Sequence, residues 1–163
     1  MTTNDSESKA KDDKVDYPDW EEFHKVEARS QAFLIGLYVH TCAEIHYKAT
    51  EASADEYIVS FKSLPSDPQG ALRRISEKVL ANAVPFTAKG WSQWLLNMKA
   101  KLRVLVGDQI PKRLTNQQCN DYTLGLDAGR VYGIECWKAR QAAKNKKKPS
   151  LSSAVEAVDA NAV

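Results

Sequence analysis

Cysteine is scarce in this chain: Cys42, Cys119 and Cys136 are three thiols far apart in sequence. An odd number without a spacing pattern excludes a disulfide framework, and buried free thiols in a reducing, cytoplasmic setting are the simplest reading. Long apolar runs are missing too. The longest reaches about a dozen residues, short of the roughly 20 that a membrane-spanning helix requires. The first twenty residues are polar and acidic, so a secretory signal and a membrane partner are not expected. Alternation of apolar and polar residues never persists, and the 7 Gly and 6 Pro fall mostly between helical patterns, which argues against strands. Finally, there is no Gly-rich phosphate loop, nucleophile elbow or dinucleotide fingerprint. No motif fixes a chemistry, no cofactor is expected, and a non-enzymatic role is preferred.

What is present is helical periodicity around one uncharged stretch. Ala32 to Ala43 reads Ala-Phe-Leu-Ile-Gly-Leu-Tyr-Val-His-Thr-Cys-Ala, apolar on almost every side of a helix. It is expected to be the buried spine of an all-α bundle of about five helices, the first and last of them long. The first helix is expected to open at Tyr17-Pro18-Asp19-Trp20 and run unbroken to about Thr50. A short second helix follows the capping-box spacing Ser53 to Glu56. A third begins at Asp67-Pro68, turns Leu72, Ile75, Val79 and Leu80 inward, and ends near Val84-Pro85. A fourth starts at Thr87 with the seam Trp91, Leu95, Met98, Leu102 and Leu105. The last opens at the capping box Thr115 to Gln118 and continues to about Asn145. Residues 1–16 and 149–163 are read as disordered or flexible tails on a single helical domain spanning 17–148.

The net charge of +2 conceals a polarity. Met1 to Ser30 holds 5 basic and 9 acidic residues, and Leu95 to Ser150 holds 12 basic and 4 acidic. The basic end is therefore where an anionic partner is sought. On the last helix Arg140, Lys144 and Lys148 share a face, Lys147 lies beside them, and Arg130 and Trp137 stand at its edge. Such a surface suits a nucleic-acid backbone, while lysines near a helix C-terminus are equally accounted for by the helix dipole. An exposed Trp with Arg also suits a protein partner.

Gly125, Gly129 and Gly133 recur every four residues on the same helix. Each costs roughly 1 kcal/mol relative to Ala, so something must come close to that face. The first candidate is the first helix, at Gly36 and Ala43; the second is a homodimer contact. A metal is not expected: His40 and Glu44 share one helix face, but Cys42 and His46 point the opposite way. Glu21-Glu22-Phe23-His24 holds one Glu-x-x-His, and a di-iron bundle needs two. The expected function is a self-associating helical interaction or adaptor protein that engages a protein partner, with nucleic acid as a second candidate. The alternatives are an inhibitor or assembly subunit using an uncharged face, and an all-α enzyme using His40, Glu44 and Cys42.

Overall fold

A computed structural model describes residues 15–147. Among them it contains six α-helices, one 3₁₀ turn and no strand. The expected tails 1–16 and 149–163 lie outside the described residues, except for residues 15 and 16. Helix α1 spans Trp20–His24, the 3₁₀ turn Val26–Ala28, α2 Gln31–Thr50, α3 Ala54–Val59, α4 Pro68–Ala88, α5 Trp94–Val106 and α6 Asn116–Lys147. α2 is the axis, touching α3, α4, α5 and α6, with its largest interface on α6. Every residue from Ala32 to Ala43 is buried. The chain is thus an all-α bundle around that segment.

The long first helix is in fact broken. Asp19 caps α1 by accepting from the Glu21 and Glu22 amides, and Lys25 ends it in the left-handed region at φ 50°. Ser30, inside the expected helix, instead caps α2. Its hydroxyl accepts from the Phe33 amide at 3.3 Å and donates to Asp121 at 2.9 Å. The break folds the first segment back onto α6, where Tyr132 donates to the Pro18 carbonyl at 2.7 Å and Tyr17 meets Trp94 at 4.7 Å between ring centres. A straight helix would have carried Trp20 and His24 away from these partners; tertiary contact outweighs local helical preference here.

Other boundaries also shift. α4 continues through Pro85 to Ala88. Proline only deprives the Ala81 carbonyl of a partner there, and Ala81 is exposed to water. Leu80, expected inward, is 78% exposed. The fourth helix begins at Trp94 rather than Thr87, because Gly90 at φ 79° turns the chain between α4 and α5. Its seam runs Leu95, Met98, Leu102 and Val106, and Leu105 faces outward. The last helix opens as its spacing requires: the Thr115 amide donates to the Gln118 side chain at 2.8 Å, and the Gln118 amide to the Thr115 hydroxyl at 3.2 Å.

Candidate interaction groove and cleft

α2 and α6 meet along two stripes in constant register. Gly36 faces Gly125, His40 faces Gly129 and Glu44 faces Gly133, each pair 89 positions apart (36 and 125, 40 and 129, 44 and 133). Residue numbers rise together on both helices, so the two run parallel. A Cβ on Gly36 would lie 2.1 Å from the Tyr122 carbonyl oxygen, and one on Gly125 would lie 2.1 Å from that of Phe33. Only glycine allows this backbone contact. One turn on, a Cβ at Gly129 would strike the His40 ring at 2.6 Å. At Gly133 the nearest atom is the Glu44 carboxylate oxygen at 3.6 Å, an ordinary contact. What fills the gap grows from nothing to an imidazole to a glutamate, so the helices part towards their C-terminal ends. Gly125 and Gly129 thus face α2 within the same chain, and Gly133 sits at the edge of the space that opens.

That space has two parts. The inner one is a half-open cleft between α2, α5 and α6, about 430 Å³ with its open mouth, of which the centre of a water molecule can occupy only about 30 Å³. Its lining includes the apolar Leu37, Leu95 and Met98, the His40 ring, and the charged Glu44, Lys48 and Arg140. His40 is only 5% exposed, and burial lowers its pKa, opposed in part by Glu44. The imidazole therefore stays neutral at pH 7. Burial also holds Cys136, in the same cleft, up at about 11. Trp91 stands beside the cleft, with the Lys48 ammonium 3.6 Å and the Arg140 guanidinium 5.4 Å from its ring centre.

The outer part is a shallow groove lined by Glu44 and Tyr47 of α2 and by Arg130, Gly133, Ile134, Trp137 and Arg140 of α6. Trp137 is 56% exposed, Tyr47 and Ile134 49% each. Arg130 at its edge reaches Asp55 at 3.4 Å and Asp127 at 3.8 Å.

Of the basic face expected from sequence, the structure brings Arg130, Trp137 and Arg140 together. Lys144 lies exposed one turn further along α6. Lys147 is the last residue of that helix, and Lys148 lies outside the described residues. Tyr47, Lys48, Tyr132 and Ile134 were not singled out by sequence, and Trp91 was read only as part of the fourth-helix seam. Ile134 stands in an i, i+4, i+7 row with Arg130 and Trp137, a signal that was available; Tyr47 and Trp91 come from other segments and needed the tertiary fold.

His40 and Glu44 do share the cleft, but Cys42 is fully buried elsewhere and burial pushes its thiol up to about 12. Among the described residues no group of three or more His, Cys, Asp or Glu could hold a metal ion, and no helix is long and apolar enough to cross a membrane. No protein-family model matches the chain, and no significant match to a curated protein or a solved structure was found.

Proposed function

We propose that the protein is a non-enzymatic helical interaction module whose α2/α6 groove seats a protein partner carrying an apolar side chain beside acidic residues. The observation that carries this reading is the exposure of Trp137, Tyr47 and Ile134 as one apolar patch between two arginines. Exposed Trp, Tyr and Arg gathered in one place are the composition of interface anchors, and a cationic rim selects an acidic partner. A nucleic-acid partner has less support. The centre of the groove is apolar, formed by Trp137, Tyr47 and Ile134, a surface that a protein side chain covers and a phosphate backbone does not. An enzyme using His40, Glu44 and Cys42 has less support still, because the thiol lies outside the cleft and is held protonated. The three free cysteines fit a reducing, cytoplasmic setting.

Selection of a displayed random-peptide library on the immobilised protein tests this function. Enriched peptides should combine an aromatic or aliphatic anchor with neighbouring Asp or Glu, and should lose binding to Trp137→Ala. Enrichment of basic peptides, or retention on that variant, contradicts it. A second copy of this chain is also a candidate partner, and it would announce itself as concentration-dependent size abolished by the same substitution.

A further inference from the structure

The α2/α6 groove has room for side chains that the inner cleft lacks: the centre of a water molecule can occupy about 300 Å³ of the groove, against about 30 Å³ of the cleft. About half of the Trp137, Tyr47 and Ile134 surfaces is open to water there, an apolar patch rimmed by Arg130 and Arg140. The chain itself continues past this patch. The described length of α6 ends at Lys147, about 15 Å beyond Trp137 at about 1.5 Å per residue, and residues 148–163 follow. Pro149 favours departure from a helix axis. Leu151, Val155 and Val158 come next, spaced by four and three as on one helix face. Glu156 and Asp159 are the only charged side chains after Lys148. Apolar anchors beside acidic residues are the combination that the groove selects under the function proposed above.

We propose that segment 151–159 seats in the α2/α6 groove of its own chain and competes there with the protein partner, an inference that rests on the groove reading above. Val155 and Val158 cover Trp137, Ile134 and Tyr47, and Glu156 and Asp159 face the cationic rim of Arg130 and Arg140, with Lys144 one turn on. The reach suffices: the chain from Lys147 to Val155 can span up to about 26 Å when extended, against the roughly 15 Å needed. Residues 1–14 do not fit the same seat, since Met1 and Ala10 are their only apolar residues and lysines are mixed with their acids. A tether this short gives an effective concentration on the order of 1 mM. A contact with an intrinsic Kd of only about 0.1 mM then shields the groove about tenfold from a partner in solution.

Nuclear magnetic resonance of the full chain with methyl-labelled valine tests it. The Val155 and Val158 methyls should show nuclear Overhauser contacts to the Trp137 indole, at strengths that dilution leaves unchanged. In the double variant Val155→Asp/Val158→Asp the Trp137 indole N–H should move while those of Trp20 and Trp94 stay, and a library-selected acidic peptide should bind about tenfold more tightly than to wild type. Both substitutions lie outside the bundle of residues 15–147. If the methyl contacts are missing and the double variant changes neither Trp137 nor peptide affinity, the proposal is overturned, and the groove reading survives as long as the peptide still moves Trp137. Contacts seen only between differently labelled chains assign the segment to a second copy and overturn the seat within one chain. A peptide that moves Trp137 in neither protein strikes the groove reading itself, and this inference with it.

Discussion

Gly36 on α2 and Gly125 on α6 meet backbone to backbone: a Cβ built on Gly36 comes within 3.0 Å of the Gly125 Cα as well as 2.1 Å of the Tyr122 carbonyl oxygen. This contact fixes the parallel crossing from which the cleft opens. In an unconstrained helix Gly→Ala gains about 1 kcal/mol. At Gly36 or Gly125 the methyl meets main-chain atoms that cannot rotate away, so Gly36→Ala and Gly125→Ala should each lose on the order of 1–3 kcal/mol. Gly133→Ala, with 3.6 Å of clearance, should be neutral or stabilising. Urea unfolding of the three variants measures the contrast, and equal effects at all three sites would contradict the crossing.

Acid should loosen the first segment. His24 is 1% exposed, its Nε2 has no hydrogen-bond partner, and its ring packs against Phe23 and Tyr132. Burial lowers its pKa from 6.5 to about 4, helped by the charges of Arg29 and His40. The unfolded chain takes up a proton near pH 6.5 that the folded state refuses until about 4. This contribution to stability is therefore complete above pH 6.5 and is lost as pH falls from there to about 4. Unfolding free energies at pH 7 and pH 4.5 should differ less in His24→Phe than in wild type, with His40, whose pKa is also lowered, supplying part of what remains. Identical pH profiles would sink this assignment.

The spine, the all-α class and the last helix were legible because their signals are local: an uncharged run at 32–43 and a capping box at Thr115. The break at Lys25 to Ser30 was not, since its justification is the docking of Pro18 and His24 on Tyr132, more than a hundred residues away. Periodicity gave the angles of Gly125, Gly129 and Gly133 and pointed to Gly36 as a facing position, but it did not give the register, and Ala43 is not the residue opposite. The residues opposite them, Gly36, His40 and Glu44, form a matching i, i+4 row visible only once the register is known. Arg130, Trp137 and Arg140 were chosen from one helix face; Tyr47, which completes their groove, belongs to another helix.

The three thiols should react at different rates. Cys42 and Cys136 are buried and raised to about 12 and about 11, whereas Cys119 is partly exposed. An aromatic disulfide reagent at pH 8 should modify Cys119 in the native protein and reach the other two only on unfolding. Rapid native labelling of Cys42 would show that it is not sealed inside the bundle.

Replacing Trp137 should affect recognition without affecting the fold. With 56% of its surface exposed, Trp137→Ala should change stability by no more than about 0.5 kcal/mol. Loss of an anchor of this kind costs about 2 kcal/mol or more in binding, roughly thirtyfold in affinity. Arg140→Glu should weaken acidic peptides further and flatten the dependence of their affinity on salt. Fluorescence anisotropy of a selected peptide at two salt concentrations reads both effects.

The most direct measurement uses the chain's 4 tryptophans. Their indole N–H resonances, assigned by substitution, can be followed while a selected peptide is titrated into the labelled protein. Trp137 should shift strongly and saturably, with Trp20 on α1 and Trp94 on α5 unmoved. A partner that moves Trp20 or Trp94 and leaves Trp137 in place would contradict the account.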